Sequence, residues 1–412
     1  MKRRVPDKLK SIFTDTMWSI AGLVLMNVAA QFVVYPYWNR VLGTEKYGNV
    51  IYLLAIMNIM AISVGSGINY TRMRKSAEGK TCNRPYLIMM AGGSAISLVV
   101  LLVLKLVGLL NLSIMEFILF CILTIVTMWR YYADVEYRLH INYKGYFLYY
   151  LIIGIGYLIG IFMFKVTGLW PLALLPGEIA GLLLVFWKGS VFRTDKRGRI
   201  EDFSPILRLS LLLVGTNILS HLIFNGDRLI LQWFAGSAAV TTYYIASLFG
   251  KTMTLITTPL NGVLVGHLAK YKGQLTRKLM NQTLGISAGM VLLATAVCVA
   301  ASMIILPFLY PANYETARQY LILASAAQVV YFVGNVLTAS ILLRFTPARN
   351  QMIVNVTHGI LFVAICVPLA WKYGIEGFCW SLLCVNVIRY ALGIVLGYIT
   401  IWSDMYDDRG TT

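Results

Sequence analysis

The stretch from Asp227 to Tyr244, DRLILQWFAGSAAVTTYY, decides the fold because it joins two long apolar segments near the middle of the chain. An earlier stretch that begins at Val34, VYPYWNRVLGTEKYGNVIYLLAI, has the same order of features: an aromatic and polar end, an apolar pair, a Gly, a short polar linker and a new apolar run. The two stretches align when Gly43 is paired with Gly236. Repetition on this scale predicts a chain built from two related halves.

A second pair of junctions supports the duplication. GLWPLALLPGEIAG from Gly168 and GIEGFCWSLLCVNV from Gly374 each open a new apolar segment after a lone Lys. We therefore predict a repeated six-segment unit, with lobes at residues 1–189 and 206–412 and a cytoplasmic linker at 190–205. In membrane proteins such repeats are typical of transporters whose binding site lies between the halves.

The composition places the chain in a membrane. Hydrophobic residues make up 58% of its 412 residues and charged residues only 13%, a balance that a soluble domain could not carry on its surface. The apolar runs continue for about 18 to 25 residues, which predicts helices and not barrel strands. We predict an all-α integral membrane protein with twelve transmembrane helices, at about residues 15–36, 47–68, 86–110, 114–132, 145–166, 169–189, 206–226, 238–266, 284–309, 317–342, 353–372 and 376–402.

The distribution of basic residues predicts the orientation. Most of the 35 Lys and Arg residues fall in the N-terminus, the tail and every second loop. The opposite loops hold only Arg40, Lys46, Lys105, Lys165, Arg228, Arg318 and Lys372. Because basic loops stay on the cytoplasmic side, we expect a multi-pass protein of a bacterial cytoplasmic membrane with both termini in the cytoplasm. The formal net charge of +18 then reflects topology and not a nucleic-acid partner.

Soluble-enzyme motifs are absent from the sequence. It contains no Walker loop, no HExxH and no GxSxG, its four His residues are scattered, and its six Cys residues form no CxxC pair. We therefore expect no catalytic residue, no cofactor and no metal. Three GxxxG pairs predict close helix packing: Gly156 with Gly160, Gly285 with Gly289, and Gly393 with Gly397.

Polar residues inside the predicted helices are the candidates for function. On the eighth predicted helix, spacings of three and four place one set on a single face: Tyr244, Ser247, Lys251, Thr254, Thr258 and Asn261. Lys251 lies more than about ten residues from either predicted helix end, roughly 15 Å at helical rise. A cation at that depth costs about 2.5–3.5 kcal/mol, so we expect it to face a cavity or a partner.

Comparable stripes occur on other predicted helices. They consist of Asn386 and Arg389; Asn217, His221 and Arg228; Asn27 and Gln31; and Gln328 and Asn335. If these stripes converge on a hydrated cavity, its cations outnumber its acids, which favours an anionic ligand. We predict an anion-binding set of Lys251, Arg389, Arg40, Arg228, Asn27, Gln31 and Asn386, and coupling or gating roles for Asp227, Glu178 and His221.

Each candidate also has a structural interpretation. Asp227 would form an ion pair with Lys251 or Arg228, Arg389 would bind helices together, and His221 would be a hydrogen-bonded packing residue. Glu178 would titrate as a coupling group only if burial raised the pKa of its carboxyl, and no sequence pattern shows that. The sequence leaves these alternatives open.

Three phrases resemble a known family. PYWNRVLGTEKYGNV resembles the signature after the first helix of polysaccharide repeat-unit flippases (O-antigen or capsule type, Wzx-like), members of the superfamily shared with MATE drug exporters and the lipid II flippase. DRLILQWFAGSAAVTTYYIAS resembles their junction between helices 7 and 8, and KYGIEGFCWS resembles the lead into their last helix. The resemblance implies two six-helix lobes that move an undecaprenyl-diphosphate-linked oligosaccharide between leaflets by alternating access.

The same resemblance implies membrane lipids as partners, with a polysaccharide polymerase and other assembly proteins as further ones. The main rival is a MATE-like, ion-coupled exporter of drugs or organic cations, whose cavity should hold more acids than bases. A membrane glycosyltransferase or polymerase would need a catalytic acid on an extended outer loop, and the predicted outer loops are short. The buried charges argue against a non-transporting scaffold.

Overall fold

The computed structural model describes residues 5–78, 82–193, 203–255, 257, 261, 264, 275–338, 345–346 and 348–410. In these residues the chain is helical, without a strand. The helices are α1 (Val5–Val28), a π-helical turn (Ala29–Val34), α2 (Tyr35–Ala77), α3 (Arg84–Leu106), α4 (Ile114–Ala133), α5 (Val135–Leu139), α6 (Tyr143–Thr167), a 3₁₀ turn (Trp170–Ala173), α7 (Leu175–Lys188), α8 (Phe203–Phe234), α9 (Ser237–Thr252), α10 (Arg277–Leu309), α11 (Tyr314–Arg318), α12 (Leu321–Leu337) and α13 (Ala348–Gly410).

Seven helical stretches of the described chain are long and apolar enough to cross a bilayer. Two of them, Thr14–Ser76 and Arg349–Trp402, run through a break in the helix at Gly43 and at Gly374. The predicted all-α membrane fold is therefore confirmed. The number of twelve spans stays a prediction.

Glycine makes the breaks possible. Gly43 has φ 76° and ψ 173°, and Gly236, between α8 and α9, has φ 84° and ψ 172°. Only glycine adopts this region without steric cost, and the two junctions aligned in the sequence thus share one backbone conformation. The second pair agrees less well. Gly168 and Gly374 both have positive φ, but their ψ values are 0° and −139°.

Two compact units make up the chain, Met1–Asp227 and Arg228–Thr412. In the first unit, α1 and α7 pack against α6, and α2 and α7 pack against α4. In the second unit, α9, α10 and α13 pack against α12. The predicted lobe boundaries stay a prediction, and most of the predicted linker, residues 194–202, lies outside the described residues.

Two basic residues counted among the loop charges lie inside helices instead. α2 runs to Ala77 and not to residue 68, so Arg72 is buried within it. Arg130 lies within α4, inside the predicted span 114–132, and is also buried. Both residues were counted as cytoplasmic loop charges, and that placement is wrong. Hydropathy ends a span at its first charge, whereas here an Asn and a Glu on neighbouring segments hold the two guanidinium groups inside the protein.

Close packing of α6 depends on two of the predicted glycines. A Cβ atom added at Gly156 would collide with the backbone of Gly177, and one added at Gly160 would collide with the carbonyl of Ala173. By contrast, Cβ atoms at Gly285 and Gly289 would have no described neighbour within 4 Å. The GxxxG prediction therefore holds for α6, while the structure packs no described helix against the pair on α10.

We expect Gly156→Ala to destabilise the protein by about 1–3 kcal/mol, because overpacking forces the two backbones apart. The midpoint of thermal unfolding in detergent measures the effect. Gly285→Ala is the matched control, and it should leave the midpoint unchanged or raise it, since Ala favours the helix and meets no neighbour. Equal midpoints for the two variants would contradict the packing described for α6.

Candidate functional site

A polar cluster lies inside the second unit, where α12 meets both arms of α13, before and after Gly374. Each of the three helical segments contributes two polar residues that are three or four positions apart and therefore share a face. The six residues, which we call the Arg389 cluster, are Tyr331, Asn335, Asn355, His358, Asn386 and Arg389.

Arg389 is the centre of this cluster and is only 4% exposed. Its Nη1 donates to the carbonyl of Tyr331 at 3.3 Å, and its Nη2 donates to Oδ1 of Asn335 at 3.0 Å and to Oδ1 of Asn355 at 3.3 Å. The guanidinium carbon also lies 4.8 Å from the centre of the Tyr331 ring. Its Nε has no hydrogen-bond partner among the described residues. Every described partner of this cation is neutral.

The second unit offers Arg389 no nearby acid. Its acidic residues are Glu315, Glu376, Asp404, Asp407 and Asp408. Glu315 and Glu376 are exposed, and Asp404 follows Arg389 by fifteen positions on the same helix, about 22 Å of helical rise. Burying an uncompensated cation near the middle of a span costs about 2.5–3.5 kcal/mol. Such a cost is typical of a charge retained for a ligand.

Asn386 and His358 form a second hydrogen-bonded pair in the cluster, and the centre of the His358 ring lies 5.6 Å from the centre of the Tyr331 ring. Asn386 Nδ2 donates to the carbonyl of Ala327 at 2.8 Å, so its Oδ1 faces Nε2 of His358 at 3.0 Å. Because that oxygen can only accept, Nε2 of His358 carries a proton. Both polar ends of Asn386 are therefore used within the protein, and its predicted contact with a ligand stays a prediction.

Lys251 is also buried, at 8% exposure, on α9. Regular α9 ends at Thr252 and a turn follows at Met253, but the described residues 254, 255, 257, 261 and 264 are again helical, so the predicted helix from 238 to 266 stays a prediction. The Thr252 hydroxyl donates to the carbonyl of Phe249 at 2.7 Å, which tightens this last turn. Lys251 thus lies two residues before the turn that interrupts the helix. The predicted stripe member Thr258 lies outside the described residues.

Arg228 is half-buried on α8, and its guanidinium carbon lies 5.2 Å from the centre of the Tyr244 ring. This contact links the two ends of the Asp227–Tyr244 stretch by a cation–π interaction. Asp227 is buried, and His221, six residues earlier on α8, is half-buried. The ion pair of Asp227 with Lys251 or Arg228 stays a prediction.

Glu178 has a buried partner that the sequence analysis missed. Arg130 Nε and Nη2 donate to its two oxygens at 2.7 and 3.3 Å, and the Tyr157 hydroxyl donates to Oε1. The side chains of Arg130 and Glu178 are 2% and 3% exposed. Glu178 therefore balances Arg130 and is not available to neutralise Lys251 or Arg389. The sequence could have predicted this pair, because a base and an acid that lie within two apolar helices favour a buried ion pair.

A second buried carboxylate, that of Asp134, lies four residues, about one helical turn, after Arg130. It accepts hydrogen bonds from Asn69 Nδ2 at 2.5 Å, Arg138 Nη2 at 3.1 Å and the Tyr150 hydroxyl at 3.1 Å. This network ties α2, α4, α5 and α6 together. The buried acids Asp134 and Glu178 thus have partners inside the first unit.

The remaining candidates also lie in the first unit. Asn27 Nδ2 donates to the carbonyl of Leu23 at 2.8 Å, and Gln31 Nε2 donates to Asn27 Oδ1 at 3.2 Å. Gln31 belongs to the π-helical turn Ala29–Val34, a conformation that is frequent at functional sites. Arg40 is exposed, three residues before the break at Gly43. Of the predicted anion-binding set, the described structure places Asn386 and Arg389 in the Arg389 cluster, together with Asn335 from the predicted stripes.

Residues 14–272, more than half of the chain, match the family described as polysaccharide biosynthesis protein. The chain belongs to this family. The resemblance noted in the sequence is thereby confirmed. No curated protein matches the chain.

Solved structures share the fold along almost the whole length. The inward-facing conformation of a multidrug resistance MATE family transporter of the MOP superfamily is 15% identical, with a TM-score of 0.69 over 93% of this chain and 98% of that one. The bent form of the Vibrio cholerae MATE transporter VcmN is 18% identical, with a TM-score of 0.61 over 96% and 97%. A MOP superfamily transporter from Pyrococcus furiosus is 16% identical, with a TM-score of 0.59 over 96% of both chains. The protein is thus an integral membrane protein with a MATE-type fold.

Proposed function

We propose that the protein is a flippase that moves undecaprenyl-diphosphate-linked oligosaccharide repeat units from the cytoplasmic to the outer leaflet of a bacterial cytoplasmic membrane. Membership of a polysaccharide biosynthesis family supports the substrate class, and a fold shared with MATE transporters supports a transport mechanism of alternating access. The transfer would supply repeat units for surface polysaccharide such as O-antigen or capsule, with a polymerase as a downstream partner.

The observation that carries the proposal is the unbalanced cation at Arg389. Its described partners are neutral oxygens and an aromatic ring. A diphosphate brings the negative charge that the described partners of Arg389 lack, and guanidinium–phosphate contacts are among the strongest charge-assisted hydrogen bonds. Binding the lipid-linked diphosphate would therefore recover free energy that burial of the cation costs.

The rival of the same fold, an exporter of drugs or organic cations, is less well supported. A cationic ligand would meet like charge at Arg389 and Lys251, both buried in the second unit. The buried acids Asp134 and Glu178 of the first unit already have basic partners. Cations in a ligand site repel cationic ligands and attract anionic ones.

Other candidates have subsidiary roles in the proposal. Lys251, Arg228 and Arg40 would contact the anionic headgroup at other stages of transfer. Asn27 and Gln31 would hydrogen-bond the glycan next to the π-helical turn. Asp227 and His221 would take part in coupling or gating. Glu178, held by Arg130, has a structural role instead.

Proteoliposomes test the proposal. A fluorescent undecaprenyl-diphosphate oligosaccharide is placed in one leaflet, and its accessibility to a glycosidase confined to the opposite compartment is followed over time. The wild-type protein should accelerate the appearance of accessible glycan over protein-free vesicles. Efflux of an organic cation such as ethidium, without glycan transfer across several glycans and ion gradients, would instead identify the exporter.

A further inference from the structure

Two exposed carboxamides cover the buried guanidinium of Arg389. Asn335 comes from α12 and Asn355 from the first arm of α13, and both side chains are exposed. Both bind the same Nη2 atom, at 3.0 and 3.3 Å. Arg389 thus holds two amides from different helices side by side, on the open side of the cluster.

The chemistry of the guanidinium determines how these amides are oriented. Arginine has only donors, so the atoms that face Nη2 must be the two Oδ1 atoms. The Nδ2 groups of Asn335 and Asn355 therefore point away from Arg389, each with two N–H donors. Neither Nδ2 group binds another described residue. The N–H donors of both amides therefore face away from Arg389, and the bonds of Arg389 to the two Oδ1 atoms fix their orientation.

The charge of Arg389 strengthens these donors. A cation bound to the carbonyl oxygen polarises the amide, and hydrogen bonds in series reinforce one another where the dielectric constant is low. Only a ligand that accepts hydrogen bonds and carries negative charge satisfies both the donors and the guanidinium behind them. Phosphate oxygens have these two properties.

We infer that Asn335 and Asn355 form the phosphate-contacting surface of the second unit and that Arg389 is the positioning residue behind them. The inference rests on the proposed function, because it assigns the diphosphate of the lipid-linked substrate as the ligand. It assigns the first contact to two residues outside the predicted anion-binding set. His358, held by Asn386, packs against the ring of Tyr331, which in turn contacts Arg389.

Isosteric substitutions to aspartate test the inference with the purified full-length protein. In Asn335→Asp or Asn355→Asp, a carboxylate oxygen still faces Arg389 and forms an ion pair, while the outward N–H donors are lost and the positive charge is cancelled. We expect each variant to keep or raise its thermal midpoint in detergent. Its affinity for farnesyl diphosphate should fall at least tenfold, because charged hydrogen bonds contribute about 1.5–3 kcal/mol. Asn281→Asp, an exposed Asn of α10 outside the cluster, is the charge control and should bind as the wild type does.

The outcomes are distinct. Wild-type affinity in both aspartate variants, or no binding of farnesyl diphosphate by the wild type, would overturn the inference. Equal binding of farnesol would assign the site to the prenyl chain, and equal binding of dihexanoyl phosphatidylglycerol would assign it to membrane phospholipid. Either result also overturns it. Loss of binding in the variants, combined with a wild type that transfers no lipid-linked oligosaccharide, would keep the phosphate site and reject the flippase.

Discussion

Replacing Arg389 with glutamine is expected to slow glycan transfer about tenfold to a hundredfold while the protein stays folded. Glutamine can still bind the Tyr331 carbonyl or one of the amides, but it cannot orient both amides and carries no charge. The expected range corresponds to charge-assisted hydrogen bonds of about 1.5–3 kcal/mol. The initial rate of glycosidase accessibility in proteoliposomes measures the loss, and the thermal midpoint in detergent checks the fold.

Two comparisons separate charge from packing. Arg389→Lys keeps the charge but lacks the fork that reaches Tyr331, Asn335 and Asn355 together, so its rate should fall between those of the wild type and Arg389→Gln. Transfer by Arg389→Gln at the wild-type rate would show that the cation only binds helices together, which was the structural alternative for this residue.

Replacing Glu178 with leucine is expected to produce the largest loss of stability, about 3–5 kcal/mol. The substitution leaves Arg130 buried without its carboxylate, and breaking a buried ion pair from one side is strongly destabilising. It also removes the acceptor of the Tyr157 hydroxyl. Denaturant unfolding in detergent micelles, followed by tryptophan fluorescence, measures the change.

The double variant Arg130→Met, Glu178→Leu is the matched control. With both charges gone the apolar replacements pack without a desolvation cost, so most of the lost stability should return. Transfer by the double variant should keep its wild-type response to ion gradients. A double variant that is stable but no longer responds to a gradient would restore the coupling role considered for Glu178.

The membrane fold was predictable because it depends on features that are local in sequence. Long apolar runs predicted helices, and the repeated Gly junctions predicted the breaks at Gly43 and Gly236, which share one conformation. The ends of helices were less predictable. At α9, for example, the regular helix gives way to a turn at Met253, and hydropathy does not register such an interruption.

The candidate site was predictable only in part. Arg389 and Asn386 were predicted because they are polar residues three positions apart within one apolar run, a pattern that the sequence shows directly. Asn335 and Asn355 needed the structure, because their relation to Arg389 depends on three segments that meet in space. Arg130 was missed because it was grouped with the loop charges, although a base and an acid within two apolar helices predict a buried pair such as the one it forms with Glu178.

The central claim is that the second unit recognises the phosphate charge of its substrate, and headgroup charge tests it most directly. The same prenyl-linked oligosaccharide is prepared with a diphosphate, a monophosphate or an uncharged ether linkage, and each form is assayed in wild-type proteoliposomes. We expect the fastest transfer for the diphosphate, slower transfer for the monophosphate and a rate near that of protein-free vesicles for the ether. Transfer of the ether form as fast as that of the diphosphate would contradict the claim.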